Sequence, residues 1–325
     1  MKRKGFGLVL LGASLAAFGL FLPAVGAAAE LDPKQWVKDP LSGCYLFIHF
    51  ATEDTAVSWA GPCKDGKAEG NGKAIWHMYG KPMDEYEGTL KAGKKHGQGV
   101  STSPKGERYA GEFLDGERNG PGSLRLANGD VLEGTFTDGI LGGRGRIRFA
   151  NGDRYEGEFV YSTMTGQGVL NMASGGRYEG GFRNGSMNGQ GVLTLPGGFR
   201  YEGDFKGGKA EGRGILIRED KVRFEGDFRA NKPDGEGLYI FPNGDRYRGS
   251  VRAGQVHGQG VLEFADGGRY EGGFRDGKMS GVGVRRWANG TSFTGPFVDN
   301  NAHGAGTCTN PKGSWVCTPE NGSFK

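Results

Sequence analysis

Three stretches of the chain have the glycine and lysine spacing of a phosphate-binding loop. Gly88-Thr-Leu-Lys-Ala-Gly93-Lys94 matches its first seven positions, and the spacing recurs from Gly203 to Lys209 and from Gly272 to Lys278. Magnesium-dependent phosphate chemistry needs Ser or Thr after the lysine, and Lys95 stands there instead. There is no Gly-x-Ser-x-Gly for a serine nucleophile and no His-Glu-x-x-His for zinc. The five histidines form no ligand spacing of their own. What remains as candidate chemistry is a set of arginines, Arg125, Arg144, Arg146 and Arg148, that could hold an anion, and four cysteines near the ends of the mature chain.

The elements that must position these residues are set by a period. An aromatic or apolar residue followed two positions later by glycine occurs at Tyr86, Tyr109, Leu132, Tyr155, Tyr178, Tyr201, Phe224, Tyr247, Tyr270 and Phe293, and every interval is 23 residues. Counting each unit from that residue, a Gly-x-Gly occupies positions 12 and 14 in all ten, and position 5 is usually Phe. An imperfect eleventh unit starts at Trp59 with Gly61 and Gly70/Gly72. The period also explains away the loop-like stretches, since their glycines are positions 3 and 8. His96, His257 and His303 share position 11, at least two units apart, too far to converge on a metal.

Within a unit, positions 1, 3 and 5 alternate with polar 2 and 4, as in Tyr155-Glu156-Gly157-Glu158-Phe159, which is the pattern of a half-buried strand. Positions 16 and 18 are apolar in most units and mark a second strand. The Ala-Asn-Gly-Asp segments at 127–130 and 150–153 are hairpin turns that need positive φ at glycine. Facing residues on antiparallel strands point to the same side, so the loop must have an odd number of residues. A three-residue loop around Asn-Gly satisfies this and sets position 16 opposite either glycine 3 or the aromatic at 1 of the next unit. The glycines leave room for aromatics to lie across the sheet.

This unit, Tyr-Glu-Gly-x-Phe-x-x-Gly-x-x-x-Gly-x-Gly with a later turn glycine, resembles the MORN (membrane occupation and recognition nexus) repeat in length and residues, over 59 to about 315. The resemblance implies an all-β, elongated, single-layer antiparallel sheet of stacked hairpins, twisted or trough-shaped, that acts as a binding or scaffolding module for membranes, lipids or proteins. Departures are local: Ser162, Asn231 and Asn300 replace glycine at position 8, and Lys221 replaces the turn glycine.

Glu at position 2 and Arg at position 23 lie two residues apart and share the face opposite the aromatics, as a solvated ladder of opposite charges. Arg125, Arg144, Arg146 and Arg148 fall on that face without evident partners and form a candidate patch for an anionic lipid headgroup or acidic partner. The aromatic row, Tyr86, Tyr109, Tyr155, Tyr178, Tyr201, Phe224, Tyr247, Tyr270 and Phe293, would expose more apolar surface than a soluble monomer tolerates unless the sheet curls or meets a partner. Cys44 and Cys63 bracket 45–50 and 56–61 and would pair across a turn at Glu53–Asp54. Cys308 and Cys317 would be opposed across a Lys312-Gly313 turn, which moves Trp315 into the aromatic role and Cys317 into the role of glycine 3. Both bridges would cap an array whose end units lack a neighbour.

Composition agrees with a repeat of this kind. Glycine is 65 of 325 residues, which excludes an ordinary helical protein, while 11% aromatics exclude glycine-rich disorder. Lys2, Arg3 and Lys4, the uncharged stretch 5–22 and Ala27-Ala-Ala29 read as a signal peptide, 1–29, cleaved before Glu30, with an uncleaved anchor as the alternative. Without those three cations the 41 basic residues fall to 38 against 37 acidic, so phosphate-driven nucleic-acid binding is not expected. An even cysteine count in an exported chain makes disulfides the default. The expected organisation is N-terminal cap strands at 30–58, eleven repeats at 59–315 and a C-terminal strand and tail at 316–325. The expected function is a non-catalytic scaffold of the cell envelope, periplasmic or secreted and bacterial, without cofactor, that binds a protein partner or a second copy of itself. The alternative is a peripheral module for anionic phospholipid or cell-wall glycan. The sequons at Asn184, Asn289 and Asn321 are by-products of Asn-Gly turns.

Overall fold

The computed structural model describes residues 36–319. The expected signal peptide at 1–29, the start of the expected cap and the end of the tail, with Asn321, lie outside the described residues. The described chain is built almost wholly of strands, and the repeats form an open antiparallel sheet of 24 strands. Contacts divide the chain into two compact units. One holds the described residues up to Ala173 together with Phe182–Gly185; the other holds Ser174–Gly181 and the chain from Ser186 onward.

In the first unit the repeat that starts at Tyr155 shows the plan. Strand Arg154–Val160 turns at Tyr161-Ser162 into strand Thr163–Asn171. The two turn residues both have positive φ, 49° and 58°, the primed geometry that matches strand twist and favours Gly, Asn or Asp. The two strands pair from Arg154↔Asn171 to Gly157↔Gly168, then slip at a bulge so that Phe159 faces Met164. The preceding repeat joins through Ile147↔Tyr155 and Gly145↔Gly157, which resolves the register: position 16 faces the aromatic at 1. The connecting loop has the expected three residues. Leu126 N–H donates to the Asp130 carbonyl at 2.8 Å and leaves Ala127, Asn128 and Gly129, the last at φ 95°.

The second unit repeats this plan through Leu193↔Tyr201, Leu216↔Phe224, Tyr239↔Tyr247 and Leu262↔Tyr270. Its last strand, Gly313–Cys317, turns at Pro311-Lys312, so Cys308 faces Trp315 and Cys317 faces Gly306. Trp315 and Cys317 thus take the aromatic and glycine-3 positions as expected. The cysteines, however, are diagonal rather than opposed, because the turn sits one residue earlier than Lys312-Gly313. They are bridged all the same, with Cα atoms 5.8 Å apart.

The N-terminal segment corrects a second expectation. Tyr45–Phe47 does not form a hairpin with the strand that follows. It joins a four-stranded sheet in the order Trp36–Lys38, Tyr45–Phe47, Lys67–Ala68, Cys63–Lys64, while Thr55–Ala60 pairs with Gly70–Met78 in the repeat sheet. Cys44 and Cys63 meet because Tyr45 lies parallel to Lys67 and Cys63 faces Ala68; their Cα atoms are 5.9 Å apart and the bridge forms. This small sheet sits on the turn of the repeat at Tyr86, where Gly93 donates to Ala68 and accepts from Phe47. The Trp59 unit keeps the repeat geometry, since its ring fills the space where Gly61 and Gly72 lack a Cβ.

Candidate binding surfaces

The aromatic row is core. Tyr86, Tyr109, Tyr178, Phe224, Tyr270 and Phe293 have no measurable exposure, and Tyr155, Tyr201 and Tyr247 are at 1–2%. The row was expected to be exposed unless the sheet curls or meets a partner, and the glycine columns explain why it is covered within the chain itself. Each ring lies flat over glycines 3 and 14 of its own unit, so that a Cβ on Gly168 would come within 2.5 Å of the Tyr155 ring. The ring is then covered edge-on by the Phe of the next repeat: Tyr155 meets Phe159 at 5.3 Å and Phe182 at 4.8 Å between centroids. Such edge-to-face pairs add about 0.5–1.5 kcal/mol each beyond burial.

The tyrosine hydroxyl has a defined task. Beside the bulge, Tyr86, Tyr109, Tyr155, Tyr178, Tyr201, Tyr247 and Tyr270 each donate to the carbonyl of position 4 of their own repeat at 2.7–3.2 Å. Burial pushes the Tyr86, Tyr155, Tyr178 and Tyr270 hydroxyls up to about 12, and raises Tyr109, Tyr201 and Tyr247 as well.

Breaks in the columns are compensated nearby. Leu132 lacks a ring, and Leu141 fills the gap over Gly134. Val251 stands where Phe would cover Phe224, and Tyr239 takes its place at 4.6 Å. Ser162, Asn231 and Asn300, the replacements for glycine 8, tolerate positive φ and use their side-chain oxygens to accept Leu141, Ala210 and Met279 amides at 2.7–3.0 Å. Lys221 likewise adopts φ 65°. These sites are structural.

The arginine patch is partly neutralised. Arg146 pairs with Glu156 at 3.1 Å and Arg148 with Glu133 at 2.9 Å. They had been read as unpaired, but the register sets Arg146 between Glu133 and Glu156 of the two flanking strands. Among the described residues no carboxylate lies within ion-pair reach of Arg125 or Arg144, and both are exposed. The expected ladder of positions 23 and 2 is present in Arg177–Glu179, Arg200–Glu202, Arg223–Glu225 and Arg269–Glu271 at 2.7–2.8 Å.

Two further features were missed. On the aromatic face of the first unit lies a cleft of about 400 Å³. Position 10 is apolar from Leu141 onward, but the first two regular repeats place Lys95 and Arg118 there, and Ser101 replaces the apolar residue of position 16. Lys95 pairs with Asp84 in a largely buried contact, and Ser101 Oγ donates to Asp84 Oδ1 at 2.8 Å. The Lys95 ammonium lies over the Trp76 ring at 4.9 Å, and the Arg118 guanidinium over Tyr109 at 5.3 Å. His49, from the N-terminal segment, forms the far wall and contacts Glu117 at 3.0 Å. In the second unit Arg285 breaks column 16, stacked 3.5 Å over Phe264 with a buried Nη1 that has no hydrogen-bond partner; burial lowers its pKa against the pull of Asp266 and Asp245. A basic residue in an otherwise apolar column was the signal for both. Of the histidines, His257 lies 3.7 Å from Asp276, while His96 is half-buried.

The MORN repeat profile matches ten consecutive segments: 86–108, 109–131, 133–154, 155–177, 178–200, 201–223, 224–246, 247–269, 270–292 and 293–315. The chain belongs to the MORN repeat family. The third match begins at 133, after Leu132, where the aromatic is missing. No curated protein matches the chain in sequence. Among solved structures, the TCP10 domain of Danio rerio CPAP in complex with a peptide of Danio rerio STIL is 15% identical, over 69% of this chain and 94% of that one, with a TM-score of 0.36. The SAS-4 TCP domain of Drosophila melanogaster, in complex with a proline-rich motif of Ana2, is 13% identical over 62% and 85%, with a TM-score of 0.17. Virginiamycin B lyase of Staphylococcus aureus is 10% identical over 68% and 83%, with a TM-score of 0.15. Likenesses this slight carry no functional argument.

Proposed function

We propose that this MORN protein is a non-catalytic scaffold of the cell envelope, exported by its leader, that holds a protein partner in the cleft beside Lys95 and Arg118. The observation that carries this reading is the change of column 10 from apolar to basic where the cleft opens. At the repeat that starts at Tyr201 the rings leave only an apolar hollow of about 20 Å³, which gives a ligand little to engage. The cleft combines an apolar wall at Phe113, a guanidinium at Arg118 that has no carboxylate partner among the described residues, and carboxylates at Asp84 and Glu117. A peptide that offers one acidic and one apolar side chain fits that chemistry. Two disulfides support an oxidising compartment.

Crosslinking in intact cells, followed by identification of co-purified proteins, tests the reading. A defined adduct of the wild type should be lost in Arg118→Glu and retained in Arg213→Glu, an exposed arginine of the other unit. Adducts indifferent to Arg118 would refute it.

A second reading, anionic phospholipid or cell-wall glycan, is favoured by the exposed Arg125 and Arg144. Salt-sensitive flotation with anionic liposomes, lost when Arg144, Arg146 and Arg148 become Gln, would support it; no flotation at low salt would dismiss it.

A further inference from the structure

Positions 6 and 9 flank the two-residue turn, on the face opposite the aromatics. In the repeats at Tyr201, Phe224, Tyr247 and Tyr270 the register opposes Lys206 to Lys209, Arg229 to Lys232, Arg252 to Gln255 and Arg275 to Lys278. All eight residues are exposed. Like charges directly opposed across strands destabilise a sheet, and the repeat does not require them. At the same positions the repeats at Tyr109, Leu132 and Tyr155 carry Leu114 and Glu117, Thr137 and Ile140, Val160 and Thr163.

The cations are not neutralised locally. Among the described residues, only Lys278 of this set has an ion pair, with Asp299 at 2.9 Å. Carboxylates of the same hairpins accept backbone amides instead: Asp204 and Asp227 from Arg213 and Glu236 at 3.2 and 3.1 Å, and Glu211 and Asp234 from Ala230 and Ala253 at 3.0 Å each. Asp276, 3.7 Å from His257, marks the acidic end of the stripe.

We propose that this rim of the second unit binds an extended acidic polypeptide running along the repeats. Successive repeats advance by two strands, about 9.6 Å at about 4.8 Å per strand, and an extended chain of the polyproline II type advances about 9.3 Å per three-residue turn at about 3.1 Å per residue, which returns every third side chain to the same face. A carboxylate at every third residue therefore meets one basic pair per repeat. A membrane fits less well, because the turn tips, Gly207-Gly208, Ala230-Asn231, Ala253-Gly254 and Asp276-Gly277, carry no large apolar side chain to insert. The proposal uses a different unit and different residues from the cleft, so either can fail alone.

The test uses the full mature chain and a fluorescent peptide of six Glu-Gly-Ser units, followed by anisotropy at low and high salt. Binding is expected at low salt and should weaken as salt screens it. Substituting Lys206, Lys209, Arg229 and Lys232 together by Gln should weaken binding at least tenfold, while Arg154→Gln, at an exposed arginine of the first unit outside the cleft, leaves it unchanged. A peptide with the same six glutamates in one block should bind less tightly. The proposal is overturned by no binding at low salt, by an unchanged quadruple variant with native circular dichroism, by equal affinity for the block peptide, or by phosphatidylglycerol vesicles that bind the same rim more tightly than the peptide.

Discussion

The repeats at Tyr86 and Tyr109 and those at Tyr201 and Phe224 share a backbone, a bulge and a ring-over-glycine core, yet they treat position 10 in opposite ways. The first pair places Lys95 and Arg118 there; the second places Ala210 and Pro233, both buried. Where the position is apolar, the aromatic face leaves only a small apolar hollow of about 20 Å³ beside Ala210. Where it is basic, a cleft opens that is lined by charge and bounded by the N-terminal segment. The framework columns therefore hold the sheet, and the basic deviations in column 10 mark where the proposed partner would bind.

The sharpest way to break this comparison is the core itself. Tyr155→Ala removes a ring that covers two glycines and meets two phenylalanines, and should cost about 3–5 kcal/mol in urea unfolding. The loss should be of the same size for Tyr201→Ala in the other unit, because both are framework. A smaller effect is expected in the cleft. Asp84→Ala strands the largely buried Lys95 ammonium and should cost about 3 kcal/mol. The double change Asp84→Leu with Lys95→Met restores the apolar column and should recover that stability while abolishing partner binding. Recovery of both would show that the charge is structural only.

Glycines separate the two roles again. Gly168→Ala sets a Cβ against the Tyr155 ring and should cost about 1–3 kcal/mol, whereas Gly142, with nothing within 4 Å of its Cβ position, should accept alanine within about 0.5 kcal/mol. Tyr155→Phe leaves the Glu158 carbonyl without its donor and should cost about 1 kcal/mol. The same hydroxyls predict alkaline behaviour. An unfolded tyrosine ionises near 10 and the buried ones near 12, so the folded state holds protons more tightly between those values. Their contribution is complete below pH 10 and is lost as pH rises toward 12, which a pH series of thermal melts would read.

Much of this fold was legible from period and parity. The 23-residue spacing specified two strands per repeat, and the odd loop around Asn128-Gly129 specified which faces meet. The cysteine partners followed from the ends of the array, but their geometry did not. Cys44 and Cys63 are joined through a parallel pairing of Tyr45 with Lys67, and non-local pairing leaves no periodic trace. The aromatic row was expected to need a curled sheet or a partner to cover it, because alternation reports which side a residue takes and not what covers it. Two arginines looked unpaired for a related reason: their glutamates lie on neighbouring strands, at Glu133 and Glu156. The cleft was visible in principle at Lys95 and Arg118, once column 10 is read down the repeats.

The most direct test of the account places a photo-crosslinking residue at Ser103, beside the cleft, and separately at Val282, exposed in the other unit, in cells that carry the full chain. The account predicts a discrete protein adduct from position 103 that disappears when Arg118→Glu is added, with no such adduct from position 282. The same adducts from both positions, or an adduct at 103 that survives Arg118→Glu, would contradict it.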